Sequence, residues 1–320
     1  MANKNTTCNK GKSNKKNEFY TQLVDIENEL RHYKEHFKGK TVLCNCDDPR
    51  VSNFFIYFAL KFKALGLKRL ICTCYKNQDV DLFSQNECEQ AVYLIYEGTP
   101  EIDHVPTKDE IKVNYLKGDG DFRSPECIEL LKEADIVCTN PPFSLFEEFV
   151  VTLFKYNKKF LIIGPQNGIK YKETFPLFLE KKMWLGYGFK RNCAHFISDY
   201  EDTATDNDHR HGMIRVSGVG WFTNLEINKT HDPKILIDKY SPDLYPKLDT
   251  YDAIDCKSTN IPMDYYGDIA VPITYMYHHC PDQFDIIGEL NHGCDNQYDY
   301  AKPVLKGVEL YPRIIIRRKK

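Results

Sequence analysis

The chain has 320 residues, of which 42% are hydrophobic and 28% charged, and its formal net charge is −3. This composition excludes a largely disordered chain, and the net charge excludes a protein coated in positive charge, although a local basic groove stays open. No apolar run approaches a membrane span and the N-terminus has no signal-peptide core, so we expect a cytoplasmic protein with no membrane partner.

The first segment in chain order is a basic tail. Residues 1–17 contain five lysines, no acid and many asparagines, which is typical of disorder. The other end of the chain closes on a second basic cluster: Arg313, Arg317, Arg318, Lys319 and Lys320. For both ends, solubility and contact with a polyanion are equally open interpretations.

Residues 41–165 alternate between strand-like and helix-like patterns. We predict strands at 41–46, 67–75, 111–120, 135–140 and 158–164, and helices at 51–66, 124–134, 144–157 and 172–182. Gly66 fits a helix stop, Ser124 and Pro125 fit a helix start, and Ser144 fits an N-cap. This alternation predicts right-handed βαβ units in a parallel sheet, with ligands bound beyond the carboxyl ends of the strands.

The second half of the chain loses this rhythm. Residues 198–212 are polar and predict a loop, whereas 214–227 resemble strand material. Residues 228–300 are rich in Pro, Tyr, Asp and Asn, which favours loops and short strands. We expect this half to contain the recognising part of the protein.

The fourth predicted strand is followed by the sequence Asn140, Pro141, Pro142 and Phe143. The Asn140 amide oxygen and the Pro141 carbonyl are two acceptors that suit an NH₂ group, and Phe143 offers a face for stacking a base. The two prolines restrict the backbone conformation of the loop. The motif therefore predicts a site that grips an exocyclic amine, with an ordinary strand-to-turn transition as the alternative.

Two other predicted strand ends carry acids. Asp121 can accept a hydrogen bond from an adenine amine and Phe122 can pack on the ring, although this motif alone slightly favours an ordinary Asp-Gly turn. The acids of residues 45–55 suit an ammonium group or ribose hydroxyls. The chain has neither G-x-G-x-x-G nor a P-loop sequence, which argues against a dinucleotide cofactor and against triphosphate hydrolysis.

The cysteines and histidines do not form a convincing metal site. Two Cys-x-Cys pairs, Cys44/Cys46 and Cys72/Cys74, lie within predicted strands rather than in the loops that zinc sites use. Core packing explains them better, and free cysteine is among the most buried residue types. The candidate histidines stand in polar or irregular stretches: His209, His211, His278 and His279. We predict no metal.

The order of these motifs resembles the EcoRI-type adenine-specific DNA methyltransferases. The similarity runs from about residue 18 to the C-terminus through NEFYTQLVDIENEL, CNCDDPRVSNFF, GDGDFRS, DIVCTNPPFSLF, KKFLIIG and VPITY. The resemblance implies a class I fold dependent on S-adenosyl-L-methionine, which is Rossmann-like with a mostly parallel seven-stranded sheet, together with a C-terminal DNA-recognition region. It also implies a cofactor-binding catalytic domain at 18–190, with the end of the sheet and target recognition at 191–320.

The resemblance also implies roles for individual residues. The catalytic residues are Asn140, Pro141, Pro142 and Phe143. The cofactor-binding residues are Phe19, Tyr20, Thr21, Asp48, Pro49, Asp121 and Phe122. The family's glycines after the first strand are replaced here by Val51, Ser52 and Asn53, and no ribose-binding acid is evident near Tyr75.

The implied activity is methylation of a flipped adenine at N6 in duplex DNA, as the modification enzyme of a type II restriction–modification system. Lys190, Arg191, Arg210 and Arg215 are the expected DNA readers. A monomer is expected, with any cognate restriction endonuclease acting separately. The alternatives are methylation of RNA adenine or of a protein glutamine, and a non-catalytic DNA-binding module of the same fold.

Overall fold

The computed structural model describes residues 20–46, 48–50, 52–75, 90–98, 113–189, 193–197, 213–291 and 297–320. The predicted tail at 1–17 and the predicted loop at 198–212 lie outside these ranges. Within them, no helix is long and apolar enough to cross a membrane.

The chain divides into two compact units. Unit 1 holds the described residues up to Gln166 together with Gly188–Leu225, and unit 2 holds Asn167–Tyr187 and Glu226–Lys320. The boundaries expected from the sequence, after residues 17 and 190, stay predictions.

The described strands are, in chain order, β1 (Tyr20–Thr21), β2 (Thr41–Asn45), β3 (Arg69–Cys74), β4 (Val92–Tyr96), β5 (Asn114–Tyr115), β6 (Ile136–Thr139), β7 (Lys159–Pro165), β8 (Trp184–Leu185), β9 (Cys193–Ile197), β10 (Met213–Ser217), β11 (Val219–Thr223), β12 (Ala253–Asp255), β13 (Asp268–Pro272), β14 (Phe284–Leu290), β15 (Val304–Leu305), β16 (Val308–Glu309) and β17 (Arg313–Arg318). The described α-helices are α1 (Leu23–Leu30), α2 (Lys34–Phe37), α3 (Asn53–Leu60), α4 (Phe62–Leu65), α5 (Pro125–Glu133), α6 (Phe146–Lys155) and α7 (Phe175–Leu179).

Most described strands of unit 1 lie in one large sheet, in the order β5-β4-β3-β2-β6-β7-β11. The four central strands β3, β2, β6 and β7 are parallel neighbours, whereas β4 and β11 run antiparallel to their inner partners. The fold is therefore mixed α/β with a parallel centre, as the strand–helix rhythm predicts. The loops that leave β2 and β6 open at the same edge of this sheet because those strands are adjacent and parallel.

The core of unit 1 packs around the central strands and α3. Every residue of β2 is buried, and α3 buries aromatic side chains on most of its circumference. Phe54 of α3 packs edge-on against Trp221 of β11, with ring centroids 6.1 Å apart. Burial of each large apolar side chain contributes about 1.5–3 kcal/mol relative to exposure, so this helix anchors the loop that precedes it.

Three predicted helix signals have different outcomes. Ser124 accepts from the Cys127 N–H at the start of α5, and Gly66 ends α4 in the left-handed conformation with φ 62°, so both predictions are confirmed. The predicted Ser144 cap is wrong, because Ser144 lies inside a 3₁₀ helix and α6 begins at Phe146. The double proline before it produces this extra turn.

The predicted third strand is shorter than the sequence suggests. Of residues 111–120 only Asn114–Tyr115 form a described strand, while 111–112 lie outside the described ranges. The Glu126 carboxylate of α5 accepts from the N–H groups of Lys117 and Gly118 at 3.1 and 2.7 Å. These donors therefore serve the helix start rather than a sheet. The antiparallel strand β4 was not predicted.

Two smaller sheets complete the described fold. In unit 1, β1, β9 and β10 form an antiparallel sheet in the order β1-β9-β10. In unit 2, a sheet with the order β12-β13-β17-β14 surrounds a core that includes Ala270, Leu290 and Ile315. Strand material predicted at 214–227 is confirmed as β10 and β11, separated by Gly218.

Candidate active site

The loop at residues 140–143 leaves the carboxyl end of β6 and turns into a 3₁₀ helix. Asn140 is buried, with 8% of its surface exposed. The Pro142 carbonyl accepts from the Leu145 N–H at 2.9 Å. In contrast, no residue in the described ranges donates to the Pro141 carbonyl. This oxygen is therefore available to an incoming donor, and its neighbour Pro142 is fixed by the turn.

Phe143 is half-buried and begins the 3₁₀ helix that leads into α6. The first residue of α6, Phe146, packs against Phe222 of β11 with ring centroids 4.8 Å apart. The helix that follows the loop is thus fixed to the sheet, so the position of Phe143 is fixed on both sides.

The end of β6 is joined to the end of β2 by side chain and main chain. The Thr139 hydroxyl donates to the Asn45 carbonyl. Both residues are buried, and the Asn45 Oδ1 atom accepts no hydrogen bond from the described part of the chain. The loop after β2 and the loop at 140–143 are therefore held beside each other, and a buried acceptor stands at the end of β2.

Asp48 lies in the loop after β2 and is almost completely buried, with 3% of its surface exposed. Its carboxylate accepts from Arg50 three ways: from the main-chain N–H at 2.9 Å, from Nε at 3.0 Å and from Nη2 at 2.7 Å. Pro49 between them is also buried. The carboxylate predicted to face the cofactor is thus held rigidly within its own loop.

The N-terminal motif lies beside this loop. The Thr21 carbonyl of β1 accepts from Asn53 Nδ2, the first residue of α3, at 2.7 Å. The Thr21 hydroxyl oxygen is buried and has no hydrogen-bond partner in the described ranges. The backbone of Tyr20 is described as part of β1, whereas Phe19 lies outside the described residues. Asn53, which replaces a glycine of the family pattern, therefore links two predicted cofactor segments.

Asp121 is gripped by Arg123 in the loop that precedes α5. Asp121 Oδ1 accepts from the Arg123 N–H and Nε, both at 2.8 Å, and Oδ2 accepts from Nη2 at 2.6 Å. The guanidinium holds the pKa of the Asp121 carboxyl below its usual range, chiefly through the side-chain hydrogen bond. Asp121 is therefore an ionised acceptor at neutral pH.

Phe122 is buried against α6 rather than presented as an open platform. Its ring packs edge-on against Phe149, with centroids 5.0 Å apart, and the Arg123 guanidinium lies 5.3 Å from its centroid. Only 8% of the Phe122 surface is exposed. The sequence prediction that Phe122 packs on an adenine therefore applies at most to the small exposed part of this ring.

The chemistry of these loops fits S-adenosyl-L-methionine. Buried oxygens of Thr21 and Asn45 lack partners in the described ranges, and carboxylates stand at Asp48 and Asp121. This is a set of acceptors, and an ammonium group, ribose hydroxyls and an adenine amine are the donors that it would receive. A phosphate-bearing cofactor would instead require donors.

Known proteins relate this chain to one family along nearly its whole length. Residues 7–319 match the protein family described as Adenine-specific methyltransferase EcoRI. The chain is 44% identical over 324 residues to the type II methyltransferase M.EcoRI of Escherichia coli, which covers 99% of this chain and 97% of the relative. The chain belongs to the EcoRI family of adenine-specific methyltransferases.

Two further relatives of the chain come from mycoplasmas. The type II methyltransferases M.MgeORF184P of Mycoplasma genitalium and M.MpnI of Mycoplasma pneumoniae are 38% and 37% identical over 290 residues, in each case covering 87% of this chain and 84% of the relative. No solved structure matches the chain. The predicted family, the enzyme class of adenine-specific DNA methyltransferase and the type II restriction–modification role are confirmed.

In this member of the EcoRI family, three cysteines of the Cys-x-Cys pairs lie in the core, whereas Cys46 is half-buried. Cys44 and Cys72 are partners across β2 and β3, and both are buried, as is Cys74. Among the described residues, no group of three His, Cys, Asp or Glu side chains could hold a metal. Burial lowers the pKa of His279 to about 4, so this histidine is neutral at pH 7. His209 and His211 lie outside the described residues.

The basic residues expected to read DNA are only partly described. Lys190, Arg191 and Arg210 lie outside the described ranges, and Arg215 is half-buried in β10. At the C-terminal cluster, Arg313 pairs with Asp255 and Arg317 pairs with Asp268, each at 2.7 Å. These two arginines therefore have a structural role within unit 2. Neither of the two interpretations offered for this cluster, solubility and contact with a polyanion, included such a role.

Two arginines hold the acidic loops, Arg50 and Arg123, and neither was predicted from the sequence. In both loops the arginine stands two residues after the aspartate, as Asp48-Pro49-Arg50 and Asp121-Phe122-Arg123. This repeated Asp-x-Arg spacing is the sequence pattern from which the two arginine contacts could have been predicted. It favours a turn in which one carboxylate accepts from both the main chain and the side chain of the later residue.

Proposed function

We propose that the chain transfers a methyl group from S-adenosyl-L-methionine to the N6 amine of an adenine rotated out of duplex DNA. An amine within the base stack cannot be reached, so the target base must leave the duplex. The observation that carries the proposal is that a buried Asn140 stands next to a Pro141 carbonyl that accepts no hydrogen bond from the described residues, at the end of β6.

The loop at 140–143 performs the chemistry by position. Asn140 Oδ1 and the Pro141 carbonyl would each accept a hydrogen bond from one N–H of the amine, which leaves its lone pair available for attack on the methyl group. As the N–C bond forms, the S–CH₃ bond would break, S-adenosylhomocysteine would leave, and the surplus amine proton would pass to solvent. Phe143 stacks on the flipped base. Because Pro141 and Pro142 restrict the backbone, the acceptors are in place before the base arrives, and no strong general base is required.

The loops beside it hold the cofactor in a class I methyltransferase fold. When bound, the cofactor supplies an electrophilic methyl group on a sulfonium. The residues proposed to hold it are Phe19, Tyr20, Thr21, Asp48, Pro49, Asp121 and Phe122. Asp121 would accept from the adenine amine of the cofactor, and Asp48 and Thr21 would hold its amino-acid end.

Residues 18–190 form the catalytic domain on this proposal, and residues 191–320 complete the sheet and read the target sequence. Arg215, together with Lys190, Arg191 and Arg210, contacts DNA phosphates, so affinity falls steeply as salt rises. The protein acts as a monomer in the cytoplasm, and a cognate restriction endonuclease acts separately.

The test is transfer of a labelled methyl group to three kinds of acceptor. Duplex DNA, RNA and a glutamine-containing protein are offered in parallel to the wild-type chain and to Asn140→Ala. Label on DNA adenine alone, lost in the variant, supports the proposal. Label on RNA or protein alone, or cofactor binding with transfer to no DNA, would contradict it and favour one of the alternative activities.

A further inference from the structure

Arg123 occupies most of the hydrogen-bonding capacity of Asp121. An ionised carboxylate has about four lone-pair sites, two on each oxygen. Two donors from Arg123 reach Oδ1, and one donor reaches Oδ2. The described residues provide Asp121 with no further donor. One acceptor site is therefore left on Oδ2, and its direction is fixed by the arginine.

The same arginine contacts α6, the helix that follows the loop at 140–143. Arg123 Nη1 donates to Glu148 Oε2 of α6 at 3.0 Å. The adjacent Phe122 packs on Phe149 of the same helix. The loop that carries Asp121 and the helix that continues from residues 140–143 are thus joined by an ion pair and by an aromatic contact.

We propose that Arg123 is a positioning residue, which aims the single remaining acceptor site of Asp121 at the adenine amine of the cofactor. The inference rests on the proposed role of Asp121 as that acceptor. Arg123 acts through Asp121 and does not itself touch a reacting atom. Its link to Glu148 keeps this acceptor in register with the catalytic loop.

A purely stabilising role is a poor explanation for the arginine. The Arg123 side chain is 45% exposed and Glu148 is 50% exposed, and exposed ion pairs contribute little to stability. The geometry of the carboxylate, by contrast, depends on the planar guanidinium, which donates through two nitrogens at once. Loss of the arginine should therefore change recognition more than folding.

The test compares binding of two ligands that differ at one position of the base. S-adenosylhomocysteine carries the adenine amine, and S-inosylhomocysteine carries a carbonyl there. Their dissociation constants are measured by calorimetry for the wild type, Arg123→Gln, Arg123→Lys and Asp121→Asn, with thermal unfolding of each. Arg69→Gln is the matched control, since Arg69 also bridges two carboxylates, Glu97 and Glu133, but at the amino end of β3.

We expect Arg123→Gln to weaken binding of S-adenosylhomocysteine about tenfold, as for loss of one charge-assisted hydrogen bond. Binding of S-inosylhomocysteine should change little, so the preference between the two ligands collapses, while the unfolding temperature falls only slightly because the Arg123 side chain is half-exposed. Arg123→Lys should behave similarly because an ammonium cannot form the two-nitrogen contact. Arg69→Gln should match the wild type.

Three outcomes would overturn the inference. They are equal weakening of both ligands by Arg123→Gln, full rescue by Arg123→Lys, and an unchanged preference in Arg123→Gln. If Asp121→Asn reduces the preference while Arg123→Gln does not, the proposed acceptor role of Asp121 stands and only the role of Arg123 fails. If Asp121→Asn leaves both ligands unaffected, the acceptor role itself fails.

Discussion

The Thr139 hydroxyl donates to the main-chain carbonyl of Asn45 and thereby joins the ends of two adjacent parallel strands. Thr139 immediately precedes the loop at 140–143, and Asn45 immediately precedes the loop that carries Asp48. A single buried hydrogen bond therefore links the proposed catalytic and cofactor segments. It lies within unit 1 and depends on the parallel pairing of β2 and β6.

Thr139→Val removes this hydrogen bond while keeping the shape of the side chain. We expect the free energy of unfolding to fall by about 1 kcal/mol, because one buried hydrogen bond is lost. Turnover should fall several-fold, since the residue before Asn140 is less firmly held. Chemical denaturation measures the first effect. Thr152→Val is the control, because among the described residues the Thr152 hydroxyl donates only to the Glu148 carbonyl, within α6. A stability loss as large in this variant would contradict the prediction.

Asn140→Ala should reduce turnover about 10²–10³-fold, the usual cost of removing one positioned transition-state partner. Cofactor affinity should change little because the proposed cofactor contacts lie on other loops. Asn140→Asp keeps an acceptor at the same place and should retain part of the activity. Single-turnover kinetics and calorimetry separate the two quantities. Loss of cofactor binding with unchanged turnover per bound complex would refute the catalytic role.

Gly120→Ala should destabilise the loop that carries Asp121. Gly120 has φ +78°, and an added Cβ would lie 2.5 Å from the Cys74 carbonyl oxygen and 2.8 Å from the Ala91 Cβ. The left-handed conformation alone costs roughly 1–2 kcal/mol for a non-glycine residue, and the overlap adds to it.

Gly39→Ala provides the matched control for that loop. Gly39 has φ +71°, but nothing lies within 4 Å of an added Cβ. Thermal unfolding should therefore show a clearly larger loss of stability for Gly120→Ala. Equal losses in the two variants would mean that the close approach of Gly120 to Cys74 does not exist.

The loss of affinity for S-adenosylhomocysteine at low pH should report the protonation of Asp121. Its pKa lies below the ordinary value of 3.8 because of the side-chain hydrogen bond from Arg123. A lowered carboxyl pKa adds stability that is complete above the unfolded-state pKa and is lost as pH falls through the folded-state pKa. Affinity for S-adenosylhomocysteine should follow the same direction, because the acceptor must be ionised.

Arg123→Gln should move this loss of affinity to higher pH, towards the ordinary carboxyl range. Calorimetric titration between neutral pH and the acid limit of folding measures the shift, with Arg69→Gln as the control. If the wild type and Arg123→Gln lose affinity over the same pH range, Asp121 is not the titrating group.

Removal of metal should leave the enzyme unchanged. Cys44, Cys72 and Cys74 are buried among apolar side chains, and burial raises the pKa of the neighbouring Cys138 thiol far above its usual range, which disfavours the thiolate that a metal requires. Dialysis against a chelator should not alter methyl transfer or unfolding temperature. One zinc per chain by elemental analysis would contradict this expectation.

The sequence predicted the elements whose patterns are local. Strands β2, β3, β6 and β7 have apolar runs bounded by turn residues, and α5 has a serine cap followed by proline. The motif at 140–143 was also predictable, since two prolines after a buried strand constrain the backbone by themselves. These features depend on neighbouring residues and not on distant ones.

Features that depend on distant partners could not be predicted. The direction of β4 depends on its pairing with β3, and the early end of the third strand depends on the Glu126 carboxylate of α5. The contact of Phe122 with Phe149 exists because α6 approaches the loop. The Asp-x-Arg spacing was visible in the sequence, but only the structure shows that the arginine occupies most of the hydrogen-bonding sites of the carboxylate.

The most direct test of DNA adenine methylation is single-molecule sequencing of DNA from cells that express this chain, with Asn140→Ala as the paired control. We predict N6-methyladenine at one short sequence motif in the wild-type sample and its absence in the Asn140→Ala sample. Unmethylated adenine in both samples, from a folded chain that binds S-adenosyl-L-methionine, would contradict the proposed activity. It would point instead to RNA or protein amide substrates.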